Sequence, residues 1–290
     1  MAEPLPICHL DGEWMSLREA RISPLDRGFL FGDGVYEVEP VFLGRPFRFA
    51  EHFDRLTRSA TALRIPDPHS RDEWRELVSE LMARNGGGDL YVYVQLTRGA
   101  EYGRNHAPPA NLKPTVFAFA APLPTLSDRQ RSEGLACITT EDLRWARCDI
   151  KSVALLGNVM ARHDAALAGA DEAILLKAGQ LREASASTVH VIRDGVILTP
   201  PNSNEILPGT TRTVVEELAD RLGLTCRTRA ISETELRGAD EIWLSAATRN
   251  VSPVSRLDGK PVGSGRPGQI WQRVAQGFDE LQRELAGTPW

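Results

Sequence analysis

The chain has 290 residues, of which 42% are hydrophobic and 25% charged, a composition that excludes a disordered protein and allows one large domain or two smaller ones. Its formal net charge of −5, with arginines scattered among acidic residues, gives no basic surface for a nucleic acid. No stretch approaches the roughly 18 uninterrupted apolar residues of a membrane span, and the first residues lack the order of a signal peptide, so we expect a cytoplasmic protein without a membrane partner.

The first half of the chain is predicted to combine a β-sheet with two amphipathic helices. The dipeptide Asp11-Gly12 is a hairpin signal within residues 8–14. Apolar residues at helical spacing indicate the two helices, and alternation of polarity indicates a strand. We predict strands at 34–43, 89–97 and 114–120, helices at about 50–63 and 71–84, and a polar loop at 98–112.

A proline-containing segment at 118–128 is the best candidate for a linker, because prolines stiffen the chain and cannot donate to a β-ladder. We therefore predict a first domain at 1–121, a linker at 122–128 and a second domain at 129–290. Since both halves mix helices and strands without internal repeats, we expect a two-domain α/β or α+β protein. The elements predicted after the linker are strands at 134–140, 172–177, 188–193, 196–199 and 240–245, and helices near 154–168, 211–223 and 268–286.

Lysine is rare in this chain, which has four lysines against thirty arginines. Lys113, Lys177 and Lys260 lie at a strand entry or in turns, whereas Lys151 enters an apolar stretch. A lysine is costly to bury unless its amine is neutral, paired or covalently bound, and only a primary amine can form an imine. Lys151 is therefore a candidate for a lysine that forms a Schiff base.

An enzyme that holds pyridoxal phosphate also needs a carboxylate for the ring nitrogen, and cations with backbone amides for the phosphate. Glu183 stands among small residues that would let a flat ring approach, although without these neighbours an acid of a surface loop would be the preferred interpretation. Residues 207–212 lead into a helix whose amides at Thr210 and Thr211 favour a phosphate, unless a threonine caps that helix. Arg55 is a candidate for a further cation.

The cysteines and histidines give no sign of a metal site. Cys8, Cys137, Cys148 and Cys226 are spread without CxxC spacing, which favours reduced, packed thiols over disulfides or metal ligands. The six histidines are equally dispersed. We predict no metal ion.

Five motifs occur in the order found in fold-type IV pyridoxal-phosphate enzymes: DRGFLFGDGVYE at 26–37, EHFDRL at 51–56, CDIKS at 148–152, EAS at 183–185 and LPGTTR at 207–212. Over nearly its whole length the chain most resembles the D-amino-acid aminotransferases. The resemblance implies an α+β fold with a small N-terminal α/β domain and a larger C-terminal pseudo-barrel α/β domain. It also implies pyridoxal 5′-phosphate between the domains, a homodimer, and amino-acid and 2-oxo-acid substrates.

The resemblance further implies which residues surround the cofactor's ring. Lys151 would be the Schiff-base lysine, Glu183 the partner of the ring nitrogen, and Leu207 a support for the ring. Tyr36 and Arg144 would lie near the imine and the phenolic oxygen.

For the cofactor's phosphate, the resemblance implies Arg55 and Thr211 as ligands, beside the amide of Thr210 at the start of the same helix. The chain departs from the family at Ala247, where a phosphate-binding hydroxyl is expected. Thr248 or a backbone amide would serve there instead.

The substrate class depends on the loop at 98–112. Its Arg104-Asn105-His106 resembles the segment that holds the substrate's α-carboxylate in D-amino-acid aminotransferases. An arginine offers a bidentate fork for a carboxylate, and a histidine adds a second donor. We therefore expect Arg104 and His106 to bind the substrate, although an arginine near a histidine would otherwise indicate only a solvated loop.

Three further functions share these cofactor residues. A branched-chain L-amino-acid aminotransferase would read the carboxylate differently, and an aminodeoxychorismate lyase would eliminate pyruvate. A carrier of pyridoxal phosphate would have no activity. The Arg104-Asn105-His106 segment favours a D-amino-acid aminotransferase that uses an acceptor such as 2-oxoglutarate or pyruvate.

Overall fold

The computed structural model of the chain describes residues 3–285. The chain divides into two compact units. The first comprises the described residues up to Pro124 together with Ile150–Ala154 and Leu285, and the second comprises Thr125–Asp149 and Leu155–Glu284. Both units contain helices and strands, which confirms the predicted mixture of α and β structure.

The elements of the first unit are β1 Ile7–Leu10, β2 Glu13–Ser16, α1 Arg27–Phe31, β3 Gly34–Phe42, β4 Arg45–Pro46, α2 Phe49–Ala62, α3 Arg71–Arg84, β5 Leu90–Thr97 and β6 Thr115–Pro122. The strands form one antiparallel sheet in the order β2-β1-β6-β5-β3-β4. Side chains alternate along β5 so that Val92, Val94 and Leu96 are buried with apolar residues of α2 and α3. One core therefore lies between these helices and the sheet.

The elements of the second unit are α4 Asp128–Glu133, β7 Leu135–Glu141, α5 Leu156–Leu167, β8 Glu172–Lys177, β9 Gln180–Ala184, β10 Thr188–Arg193, β11 Val196–Thr199, α6 Thr210–Arg221, β12 Cys226–Thr228, α7 Glu233–Arg237, β13 Glu241–Ala246, β14 Asn250–Leu257, β15 Lys260–Pro261 and α8 Gln269–Leu285. Its nine-stranded sheet has the order β12-β11-β10-β13-β14-β7-β8-β9, with β15 paired to β14. The sheet is mixed, because β7 runs parallel to both β8 and β14 and β11 runs parallel to β12.

The elements predicted from the sequence are confirmed to within two residues at their ends, with residue 286 of the last helix outside the described residues. The proposed linker segment begins as a strand, because β6 continues to Pro122 at the end of its ladder. Strand β14 had no counterpart in the prediction, since Pro253 interrupts its pattern; the residue nevertheless lies opposite Trp243. Glu183 lies in β9, so the alternative of a surface-loop acid was wrong.

The five residues Ile150–Ala154 extend the structure of the first unit. Ser152 forms a β-bridge with Val35, and the Val153 amide donates to the Gly34 carbonyl at 3.0 Å. Ile150 is buried in the core of the first unit. The Lys151 segment is thereby attached to the beginning of β3.

Within residues 3–285 no helix is long and apolar enough to cross a membrane. All four cysteines are free thiols. In the same part of the chain, no three or more His, Cys, Asp and Glu side chains come together in a group that could hold a metal ion.

Candidate active site

Lys151 is held by its backbone next to α2 and β3. Its amide donates to Ser59 Oγ at 3.2 Å, and its carbonyl accepts from the Tyr36 amide at 3.0 Å. The Lys151 Nζ lies 4.2 Å from the centroid of the Tyr36 ring, in a cation–π contact. The side chain is half-buried. The predicted pair Lys151 and Tyr36 is therefore adjacent.

Arg55, a predicted phosphate ligand, is bound by a carboxylate of its own unit. Its Nε donates to Glu37 Oε1 at 2.6 Å and its Nη2 to Glu37 Oε2 at 2.8 Å. His52 Nδ1 lies 2.8 Å from the same Oε2. Burial alone would raise the pKa of Glu37, but the charge and hydrogen bonds of Arg55, together with His52, hold that pKa below its usual range. Glu37 is thus an anion that fixes the plane of the Arg55 guanidinium.

Glu39 is as buried as Glu37, but its surroundings shift its pKa in the opposite direction. Both of its carboxyl oxygens lack a hydrogen-bond partner, and its Oε2 is 3.8 Å from His52 Nδ1. Burial, followed by the negative charges of Glu37 and Glu51, raises the pKa of Glu39 well above its ordinary value. Burial beside other negative charges therefore disfavours the ionised form of Glu39.

In the second unit, Glu183 of β9 is buried and its carboxylate accepts a hydrogen bond from Arg144 Nη1. The Leu207 amide donates to Glu183 Oε1 at 3.2 Å. Arg144 also forms a bidentate ion pair with Asp142, in which both nitrogen–oxygen distances are 2.8 Å. Burial raises the pKa of Glu183, while Arg144 and the Leu207 amide act against that rise. Three predicted site residues, Glu183, Arg144 and Leu207, are thus in contact.

The amino end of α6 has the form of an anion site. The helix begins at Thr210, and its N-cap, Gly209, offers no side-chain cap, so the alternative of a threonine cap was wrong. Helix N-termini present backbone amides and a partial positive charge. A Cβ atom at Gly209 would lie 2.8 Å from Thr188 Oγ1, so a larger residue would not fit there. Thr211 is buried within the first turn.

Ala247 and Thr248 lie in the turn that joins β13 to β14. Thr188, which faces Gly209, is paired in register with Ser245 near the end of β13. The turn therefore begins two residues after Ser245, whose register partner Thr188 faces Gly209.

Arg104 and His106 are exposed, and both contact the ring of Phe31. The Arg104 guanidinium carbon lies 5.2 Å from the centroid of that ring. The His106 ring meets it edge-on with 5.5 Å between centroids. The two predicted carboxylate ligands therefore share one aromatic support.

Several residues that shape the site were missed in the sequence. Glu37 stands next to Tyr36 in the motif at 26–37, and the alternation of β3 would have placed it on the buried face. Phe31 had no such signal, because its contacts with Arg104 and His106 join residues of different elements. Asp142 was missed although it stands only two residues before Arg144 in the same loop.

The model of the amino-transferase class IV family matches residues 34–257. A D-alanine aminotransferase of Listeria monocytogenes is 41% identical over 264 residues, which are 90% of this chain and 91% of that protein. A D-alanine aminotransferase of Staphylococcus aureus is 38% identical over 272 residues, which are 93% of this chain and 96% of that protein.

Solved structures share the fold. The branched-chain amino acid aminotransferase of Escherichia coli superposes with a TM-score of 0.92 at 27% identity, covering 99% of this chain and 97% of that one. A fold IV transaminase of Curtobacterium pusillum gives a TM-score of 0.80 at 28% identity, covering 93% of each chain. The predicted family and fold class are confirmed.

The opposite pKa shifts of Glu37 and Glu39 can be tested by measuring the free energy of unfolding as a function of pH. Glu37→Gln removes the anion that offsets Arg55, so we expect a loss of roughly 3–5 kcal/mol in the free energy of unfolding at pH 7. The folded pKa of Glu37 is depressed, so its stabilising effect is present above the unfolded pKa and is lost as the pH falls through the folded pKa. Urea unfolding as a function of pH measures both effects.

Glu39→Gln is the matched control, two residues along the same strand and equally buried. The folded pKa of Glu39 is raised. The contribution of this group to the stability of the wild type is therefore complete below the unfolded pKa and is lost as the pH rises through the folded pKa. The variant should therefore differ little from wild type in acid and become the more stable protein as the pH rises. Equal destabilisation by both substitutions at pH 7 would contradict the opposite pKa shifts.

Proposed function

Since the chain belongs to the amino-transferase class IV family, we propose that it transfers the amino group of a D-amino acid such as D-alanine to a 2-oxo acid. The observation that carries the substrate class is the pairing of Arg104 with His106 on the ring of Phe31. The relatives named D-alanine aminotransferase, at 38–41% identity over most of the chain, support the same reaction.

We propose pyridoxal 5′-phosphate as the cofactor, because the residues present fit its chemistry. A buried carboxylate at Glu183 suits a protonated ring nitrogen, and Arg144 offsets the cost of burying that charge. The uncapped amino end of α6 suits a phosphate, and Gly209 leaves the space that a side chain would fill. Lys151 offers a primary amine on an aromatic face.

Each group would contribute a separate task. When bound, pyridoxal phosphate supplies an electron-withdrawing ring that stabilises negative charge on the substrate's α-carbon. Lys151 would hold the cofactor through Nζ and, as a free amine, would move a proton at that α-carbon. The Tyr36 ring restricts the direction in which Nζ points. The Leu207 amide and Arg144 keep the Glu183 carboxylate in one orientation.

The phosphate ligands proposed are Arg55, the first turn of α6 with Thr210 and Thr211, and the turn at Ala247 and Thr248. Glu37 holds Arg55 in one orientation, so a ligand of that guanidinium would meet a fixed cation. Ala247 has no hydroxyl, and we assign its place to Thr248 or to a backbone amide of the turn.

Arg104 and His106 would bind the substrate's carboxylate. Fixing the carboxylate and directing the α-hydrogen towards Lys151 leaves room for the side chain of only one enantiomer, which gives selectivity for the D-isomer. The structures of branched-chain enzymes share the fold with this chain, and L-leucine is therefore the competing substrate to test.

We also propose a homodimer. Helix α5 exposes Leu156, Val159 and Met160 on one face, with exposed fractions of 72%, 59% and 53%. Leu143 and Trp145 are exposed beside the start of this helix, where Gly157 meets Arg144. Exposed apolar patches of this kind are typical of protein interfaces.

The role of Lys151 predicts where the cofactor is attached. Reduction of the holoenzyme with borohydride should leave the cofactor on Lys151 in a peptide map, and Lys151→Ala should fold but abolish transamination. Lys177→Ala is the control, because Lys177 pairs with Glu205 on the surface and should be dispensable. Cofactor found on Lys113, Lys177 or Lys260 would contradict the assignment.

The role of the Arg104 loop predicts a loss of substrate recognition. A charge-assisted contact with a carboxylate contributes roughly 1.5–3 kcal/mol, so Arg104→Ala should lower kcat/KM for D-alanine by about ten- to a hundred-fold. His106→Ala should act in the same direction, and L-leucine should be a poor substrate of the wild type. Wild-type efficiency of both variants on D-alanine would mean that the carboxylate binds elsewhere.

The apolar patch on α5 predicts the basis of assembly. Light scattering of the wild type should give twice the chain mass of 32.0 kDa. Val159→Glu with Met160→Glu should give monomers, because each places a charge in the buried interface. Exposed Glu217→Gln on α6 serves as the control. A monomeric wild type with full activity would refute the proposal.

A further inference from the structure

The loop that carries Arg104 and His106 is exposed and has no regular structure, yet one buried arginine is bound to it. Arg27, the first residue of α1, is only 3% exposed. Its Nη1 donates to Glu101 Oε1 at 2.5 Å and to the Asn105 carbonyl at 2.6 Å, and its Nη2 donates to the His106 carbonyl at 2.9 Å. Three hydrogen bonds from one guanidinium therefore hold the loop on both sides of Arg104.

The same arginine is anchored to the body of the first unit. Its Nε donates to Asp33 Oδ2 at 2.9 Å, and Asp33 also binds Arg98 at 2.7 and 3.0 Å. Arg98 in turn donates to the carbonyls of Leu63 and Arg64, just beyond α2. Two arginines and the acids Asp33 and Glu101 thus form a charge-balanced network. It connects the loop to the end of a core helix.

The backbone adds a second attachment. The Arg27 amide donates to the Gly99 carbonyl at 2.9 Å, and Asp26 forms a β-bridge with Ala100. A Cβ atom at Gly99 would collide with the Lys113 carbonyl, so the loop closes on itself at that point. The loop is fixed where it leaves β5, and Arg27 fixes it again at its tip.

Phe31, at the other end of the same short helix, contacts the side chains of Arg27, Arg104 and His106. The Arg27 guanidinium carbon lies 4.8 Å from the centroid of the Phe31 ring. Arg104 and His106 contact the same ring at 5.2 and 5.5 Å. Helix α1 thus fixes the backbone of the loop through Arg27 and supports its two functional side chains through Phe31.

We propose that Arg27 is a positioning residue for substrate recognition: it holds the 101–106 loop so that Arg104 and His106 are in place before the carboxylate arrives. Ordering a flexible loop costs conformational entropy, and a loop that is ordered beforehand avoids that cost on binding. Displacement of a binding group by about 1 Å is enough to lower activity substantially. The inference rests on the proposed role of Arg104 and His106.

The test compares Arg27→Met with the wild-type holoenzyme. The variant keeps an apolar stem against Phe31 but removes every side-chain hydrogen bond from residue 27 to the loop. We expect the KM for D-alanine to rise about tenfold, with less than a twofold change in kcat and in cofactor affinity. Arg27→Lys, which keeps the charge, should give an intermediate KM. Arg21→Met is the control, because exposed Arg21 bonds only to nearby carbonyls and should leave KM unchanged.

A second readout does not depend on activity. Trypsin cleaves after arginine, and Arg104 is exposed on the loop. Local opening controls the rate at which a native loop is cut. Cleavage between Arg104 and Asn105 should be about tenfold faster in Arg27→Met and unchanged in Arg21→Met. If Arg27→Met does not fold, Glu101→Gln replaces the charged acceptor of one of these bonds by a neutral amide oxygen. The weaker bond should shift KM and cleavage in the same direction.

The outcomes separate this inference from the proposed function. If Arg104→Ala impairs D-alanine turnover while Arg27→Met or Glu101→Gln changes neither KM nor cleavage, the inference is wrong and the proposed function stands. If Arg104→Ala has no effect, both are wrong. Support requires the KM and cleavage effects together, and Arg27→Met should add little to KM in an Arg104→Ala background, because Arg27 acts through that side chain.

Discussion

The bidentate ion pair between Glu37 and Arg55 is the interaction on which the candidate site residues of the first unit depend. It joins β3 to α2 inside a core where neither charge could remain alone. The same strand presents Tyr36 to the amine of Lys151 and binds its backbone. The position of Lys151, the proposed Schiff-base lysine, and the orientation of a proposed phosphate ligand therefore follow from one strand and one buried pair.

In the second unit, too, a buried carboxylate is paired with an arginine. Glu183 is buried, and its carboxylate is paired with Arg144. The positive charge of Arg144 is balanced in turn by Asp142. Such triads stabilise the fold only modestly, since desolvation cancels much of the attraction. Their contribution is orientation: a carboxylate held by an arginine and by the Leu207 amide can face a ligand in only one way.

The residues proposed to bind the substrate differ in exposure, because Arg104 and His106 lie on an irregular loop at the surface. Exposed side chains can exchange substrates quickly but lose binding energy to their own mobility. The buried guanidinium of Arg27 and the ring of Phe31 reconcile these demands by supporting the loop from within. Access is thus supplied by the exposed residues of the loop, and order by Arg27 and Phe31 of α1.

The sequence by itself determined the family, most secondary structure and the identity of the chemical groups. Lysine scarcity singled out Lys151, and hydrophobic periodicity placed the helices and strands, because both signals are local. Only the tertiary structure decided the partners. Glu37 with Arg55, Glu183 with Arg144, and Arg27 with the Arg104 loop join residues of different elements, and no local pattern encodes such pairings. Strand β14 escaped prediction for the same reason, since pairing with β13 outweighs the local preference of Pro253.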